Sequence, residues 1–316
     1  MKNIFKFIIY SSAVLTICFG SFMKAQAFES SANIVVDATG YEHKIKDKPD
    51  RIISLNTSCD EILLNLVDDS RIVAICTNST DPNMSFVVER ASKFLTRLPL
   101  RTNCEIILGL QPDLVLFPAG GPREMVDSLR DLGVNVFVVR ASNNIQSIKE
   151  KIKEISIVVG EEQKGKIILQ EMNQRLYEAK QFIDNNKLSP KVVLGFTFAG
   201  AYGNVNGLFH DICVHAGVIN GAAEMGLKMG ERLSAEQVIK VNPDIVLLPT
   251  WSHHKNNNPH KFKDDFINNE PYKNLKAVRT NNVYLLDEKY RGCGSHYVVD
   301  GIIKLHKIAY FNDKLE

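Results

Sequence analysis

The sequence predicts an α/β protein of two related lobes, each built on a mainly parallel sheet and joined by one long helical stretch. Three observations predict it. Short apolar runs alternate with segments of helical period along most of the 316 residues. That alternation stops between about Asn144 and Asn186, where two helix-period segments follow one another. Finally, a fourteen-residue segment recurs 131 positions later without a gap, from Glu105–Pro118 to Glu236–Pro249, with six identities.

The elements follow in order. Ile34 to Val36, the turn at Asp37–Gly40 and Tyr41 to Ile45 form a hairpin. Arg51 to Leu55 is a buried strand and Asp60 to Leu66 a helix. Strands then fall at Arg71–Cys76, Asp113–Phe117 and Asn135–Val139, with a helix at Glu124–Leu132. Ile145 to Val159 is helical, Gly160 interrupts, and Glu161 to Asn185 is a second helix, about 38 Å if continuous. Asn185, Asn186 and Pro190 end it. Strands resume at Val192–Phe196, Ile245–Leu248 and Val283–Leu286, with helices at Leu208–Ala216 and Tyr297–Tyr310. Each copy of the repeat reads as a short helix, a Pro-Asp turn and a buried strand. The expected organisation is a leader at residues 1–27, a first lobe at 28–143, a bridging helical segment at 144–187 and a second lobe at 188–316.

The leader carries Lys2 and Lys6, an apolar stretch to Phe22, and Ala25-Gln26-Ala27. A basic start, a hydrophobic middle and an A-x-A ending make an export signal cleaved after Ala27. Two alternatives are an uncleaved anchor and lipid attachment at Cys18, though Ile17 is larger than the residue a lipobox places before its cysteine. Cleavage removes three lysines and no acid from a chain of net charge +2, leaving −1. That balance argues against a phosphate-backbone binder, and no nucleic-acid partner is expected. Five cysteines follow the leader, at 59, 76, 104, 213 and 293. An odd number leaves at least one without a partner inside the chain. No C-x-x-C supports a zinc ribbon or a thioredoxin-like centre.

From Pro49-Asp50-Arg51-Ile52-Ile53-Ser54-Leu55, through both Glu…Pro-Asp segments, to Ala277-Val278-Arg279-Thr280-Asn281-Asn282-Val283-Tyr284, the chain resembles one family. These are the substrate-binding proteins of ABC importers for ferric siderophores, haem or cobalamin. The resemblance implies two Rossmann-like lobes bridged by one long α-helix, with the ligand in a cleft between them. It implies small lobe movements, because a helix resists bending. It also implies that Glu105 and Glu236, which match the family's glutamate on each lobe, dock onto arginines of a membrane permease. The alternative for each is a glutamate that merely favours a helix N-terminus. The partner expected is an inner-membrane permease, the location periplasmic and the receptor a monomer. No resident cofactor is expected, because an iron or cobalt chelate would be cargo.

Ligands of open α/β sheets bind beyond the carboxyl ends of strands. Those ends lead into Asn56-Thr57-Ser58-Cys59, Thr77–Ser79, Ala119–Pro122, Thr197–Asn206, Thr250–His254 and Asp287–Ser295. The candidate cleft residues in these segments are Asn56, Thr57, Ser58, Tyr202, Trp251, Tyr290 and Arg291, and the resemblance adds Arg101 and Arg232, because the family's siderophore binders often use arginines on or near cleft loops. Arginines suit anionic chelates, and each is equally readable as a surface charge. The aromatics Tyr202, Trp251 and Tyr290 offer stacking surface, a ferric ligand in the case of a tyrosine, or merely cleft wall. The stretch Leu98-Pro99-Leu100-Arg101 lacks the aromatic that the family's cobalamin binders place there, which weakens that cargo. His253 and His254, with His260, are either metal ligands or a solvated loop. Cys59, Cys76, Cys104 and Cys293 near the cleft read as thiolate ligands, as buried thiols, or as one Cys59–Cys104 disulfide, while Cys213 reads as core.

No G-x-S-x-G, H-E-x-x-H or P-loop lysine occurs, and Ser295, His296 and Asp300 lack an oxyanion signature. The chain therefore reads as a non-catalytic receptor for a metal chelate. The alternatives are a receptor for a free metal ion or oxyanion and, more distantly, a secreted metal-dependent hydrolase.

Overall fold

A computed structural model describes residues 33–45, 47–99, 101–185, 188–252 and 257–311. The leader, with Cys18 and the expected cleavage point, and the pair His253 and His254 lie outside the described residues.

Strands β1 (Asn33–Val36) and β2 (Glu42–Ile45) pair antiparallel. The Asp37 carboxylate accepts from the backbone of Thr39, Tyr41 and Val138 at 2.8–3.1 Å, so this hairpin is fastened to the first lobe. The first lobe follows with β3 (Ile52–Ser54), β4 (Ile72–Cys76), β5 (Arg97–Leu98), β6 (Leu114–Pro118) and β7 (Val136–Val139). All pair parallel, in the order β5-β4-β3-β6-β7. The second lobe has β8 (Val192–Thr197), β9 (Gly200–Tyr202), β10 (Ile219–Asn220), β11 (Ile245–Pro249) and β12 (Val283–Leu286). Its parallel path runs β10-β8-β11-β12, and β9 folds back antiparallel on β8. The apolar runs behave as strands buried on both faces should. Ile52, Leu114, Leu116 and Phe137 point into one core, while Ile53, Val115, Phe117 and Val136 point into another.

The repeat has a mechanical meaning. Gln111 (φ 48°) and Asn242 (φ 43°) occupy equivalent positions and both take the left-handed conformation that ends the preceding helix. The aspartate that follows then clips its strand to the first strand of its own lobe. Asp113 accepts from the backbone of Asp50 and Arg51, at 2.7 and 2.9 Å. Asp244 accepts from the backbone of Val192 at 2.8 Å.

Of the two helices expected to bridge, the first does not. Helix Ile145–Val158 packs on β1, β7 and helix Thr57–Leu66 of the first lobe. Gly160 (φ 70°) breaks the chain, and helix Glu162–Asn185 makes the crossing. Its 24 residues span about 36 Å. Near its start, Lys164 donates to the carbonyl of Leu66 at 2.8 Å. Near its end, Ile183 packs on Gly217 of the second lobe. Ile168, Met172, Ala179 and Ile183 are buried in a core that takes side chains from both sheets and from helix Val298–Tyr310. The outer face of each sheet has its own separate core.

Candidate functional site

The strand order reverses beside β3 and β6 in the first lobe, and beside β8 and β11 in the second. Loops leaving the carboxyl ends of these strands splay apart and leave a crevice there. A cavity of about 780 Å³ lies at both reversals. Its walls come from Leu55–Cys59 after β3, Pro118–Gly120 after β6, Thr197–Ala199 after β8 and Pro249, Trp251 and Ser252 at and after the end of β11. Val139–Ser142 after β7 and Glu288, Lys289 and Gly292–Gly294 after β12 complete it. Its size falls within the range of small-molecule sites, roughly 300–1,000 Å³.

Four of the nine expected cleft residues line this cavity: Asn56, Thr57, Ser58 and Trp251. Asn56 caps helix Thr57–Leu66, accepting from the Ser58 backbone at 2.9 Å, and so aims the helix N-terminus into the cleft. The other five are not wall residues. Arg101 and Arg232 are exposed, and Arg232 donates to the Glu231 carbonyl at 2.8 Å. Tyr202 sits beside Gly195, part-way down β8, because β9 turns the chain back before it reaches the strand end. Tyr290 packs edge-on against Phe86, with centroids 5.4 Å apart. Arg291 departs furthest from expectation, being 2% exposed. It points inward, donating to the carbonyls of Phe196 (2.7 Å) and Leu247 (3.5 Å) and to Glu288 (2.8 Å), and it covers the Tyr202 ring. Its charge holds the second sheet to helix Glu288–Arg291 instead of facing a ligand.

The described cysteines are all free thiols. The Cys59–Cys104 disulfide does not form, because Cys59 joins the core on one face of the first sheet and Cys104 packs on the other. Burial pushes the Cys59 thiol up to about 12 and Cys76 up to about 11, and it raises Cys293 as well. These cavity-lining groups are therefore protonated at neutral pH and poor metal ligands as they stand. Cys213 is buried core, as read from its helix.

The sequence reading passed over Lys151 and Glu61, both buried and both lining the cavity from helices. Lys151 Nζ donates to Ser58 Oγ (3.0 Å), Ser142 Oγ and the Gly294 carbonyl (3.1 Å), and burial lowers its pKa. Glu61 accepts from Ser295 Oγ (2.6 Å), Cys293 Sγ (3.3 Å) and the Phe86 backbone (3.0 Å), and burial raises its pKa. Next to it, burial lifts Asp60 to about 8, so this carboxyl in the first helical turn is largely neutral at pH 7. Arg140 reaches the wall from the end of β7, paired with Glu150 (2.5 Å) and Glu154. The strand-end rule, applied to β7, would have found Arg140 and Ser142. A lysine placed among Ile148, Ile152 and Ile155 was the available sign of Lys151.

Glu105 and Glu236 are exposed, in the first turns of helices Cys104–Gly109 and Ala235–Val241. Each helix leads into the amino end of a parallel strand, so its own N-terminus lies at the strands' carboxyl end. Both carboxylates are therefore on helix ends that point toward the strands' carboxyl side. Glu236 accepts from Ser234 Oγ at 2.7 Å, and that bond lowers its pKa.

Known proteins are similar to this chain in sequence and in fold. A cobalamin-binding protein of Halobacterium salinarum is 26% identical over 217 residues, which is 67% of this chain and 57% of that protein. The chain thus spans little more than half the length of that relative. The high-affinity heme uptake system protein IsdE of Staphylococcus aureus is 27% identical over 226 residues, covering 68% of this chain and 74% of that one. The apo periplasmic heme-binding protein RhuT of Roseiflexus sp. RS-1 superposes with a TM-score of 0.72 at 22% identity, covering 83% and 98%. That likeness shows the two-lobed fold. The profile of the periplasmic binding proteins matches residues 52–290, from β3 of the first lobe to the helix beyond β12, and the chain belongs to that family.

Proposed function

We propose that this chain is an exported receptor that captures a metal chelate, either a ferric siderophore, haem or a corrinoid, and delivers it to an ABC permease. The observation that carries this is the cavity at the reversal points of both sheets. Its size suits a chelate better than a bare ion. The thiols facing the cavity are protonated, which makes them poor ligands for a bare ion. That favours cargo that arrives already chelated over a free metal ion. Relatives named for cobalamin and heme point to the same class of ligand.

In this reading the leader is cleaved after Ala27, or the chain is held by lipid at Cys18, and the receptor works as a monomer without a resident cofactor. Glu105 and Glu236 then seat it on a permease with the cavity mouth turned toward that partner. We read it as a receptor and not an enzyme because the chemistry its relatives are named for is capture.

Trp251 is the sole tryptophan of the chain and stands in the cavity wall. Its emission is expected to be quenched, saturably and with one-to-one stoichiometry, on titration with the cognate haem, corrinoid or ferric chelate. Trp251→Phe should lose the signal and keep measurable binding by calorimetry. Binding that leaves Trp251 emission unchanged would put the cargo somewhere else.

A further inference from the structure

Arg291 and Gly294 are three residues apart in the chain and belong to different lobes. Arg291 is bound to the carbonyls of Phe196 and Leu247 in the second sheet. Lys289 and Tyr290 touch the first lobe at the Asn83 carbonyl and the Phe86 ring, and from Cys293 to Tyr297 the side-chain bonds go there as well. The Gly294 carbonyl accepts from Lys151 Nζ and Ser142 Oγ, at 3.1 and 3.2 Å. Ser295 and Cys293 donate to Glu61, and the Tyr297 ring stacks on Phe86 with centroids 5.2 Å apart. Gly294 itself fits because it lacks a side chain. A Cβ there would lie 2.6 Å from Ser142 Oγ and 3.1 Å from Ser58 Cβ. Beyond Tyr297 the chain returns to the second lobe, where His306 and Tyr310 bond the carbonyls of Ala216 and Gly217.

We propose that Cys293–Tyr297 is a strap belonging mechanically to the first lobe, pinned by Lys151 and Glu61, so that Gly292 is a second crossing between lobes alongside helix Glu162–Asn185. Lys151 suits the role. All its protons go to three oxygens, Ser58 and Ser142 on the first lobe and Gly294 on the strap, so it serves as a clamp instead of a ligand contact. Gly292, Cys293 and Gly294 also form cavity wall, so a bound molecule rests on the element that sets the angle between the lobes. The link to cargo rests on the cavity being the binding site; the strap itself does not.

Hydrogen exchange on the exported chain without cargo tests it, with Lys151→Met and Gly294→Ala as independent ways of lifting the strap. The reporters are the amide of Lys289, which donates across to Asn83, and those of Tyr297 and Val298, bonded to Ser295. In both variants these should exchange about tenfold faster or more, while the sheet amides of Val115 and Val246 keep wild-type rates. Small-angle scattering should show a larger radius of gyration as the lobes gain freedom. Wild-type exchange at the reporters in both variants would overturn the pin. Equal acceleration at Val115 and Val246 would show that the strap is no separate unit. A released strap with an unchanged scattering profile would overturn its restraint on the lobes.

Discussion

Reversing both charges, Glu105→Arg with Glu236→Arg, is expected to reduce cargo uptake to background while cargo affinity stays within about twofold of wild type. The two carboxylates sit at equivalent places on the two lobes, exposed, in the first turns of equivalent helices. Neither lines the cavity, so affinity has no reason to change. A partner with matching positive charges would face two repulsive contacts where it had two attractive ones. Each single reversal should give an intermediate loss. Uptake of a labelled chelate by cells carrying the cognate permease, beside calorimetry on the purified receptor, reads both quantities. Wild-type uptake by the double variant would remove the docking role.

The largest stability effect is expected at Arg291. Arg291→Ala strips the carbonyls of Phe196 and Leu247 of a charged donor and leaves Glu288 without its partner in a site where burial already raises its pKa. Breaking a buried pair from one side costs about 3–5 kcal/mol. For a chain of this length the unfolding midpoint should fall by roughly 5–10 °C. Arg291→Lys should recover only part, since an ammonium cannot span the carbonyls and the carboxylate in one plane. Arg232→Ala, an exposed charge, should shift the midpoint by little. Equal, small shifts for Arg291 and Arg232 would contradict the inward placement of Arg291.

The contrast between these arginines shows what a sequence can and cannot convey about this fold. Arg291 follows the end of β12 and Arg232 lies in the long connection between β10 and β11, and nothing in their sequence neighbours states which way either points. The layers were legible because the apolar runs at Ile52, Leu114, Val136 and Ile245 admit little other than strands covered on both sides. The repeat was legible for a related reason: Pro-Asp recurs because each aspartate closes the same turn onto the first strand of its lobe. Asn56 to Ser58 were found because the end of a strand fixes a location irrespective of side-chain direction. Tyr202 was misplaced because a two-residue turn at Phe198 and Ala199 sends the chain back along β8. The clamp of Lys151 and Glu61 joins positions 61, 151 and 294 across three elements, and spacing within one element carries no sign of such a meeting.

The central claim is that the cavity takes a metal already wrapped in an organic chelator. Thermal unfolding of residues 28–316 against ferric siderophores of several classes, haem, cobalamin, cobinamide, free metal ions and molybdate tests it most directly. A ligand at a hundred times its dissociation constant adds about 2.7 kcal/mol. That corresponds to a midpoint rise of roughly 4–5 °C for a chain of this size. The account predicts such a rise with one class of chelate and none with bare ions or molybdate. Stabilisation by a free ion or oxyanion alone, with every chelate inert, would contradict it.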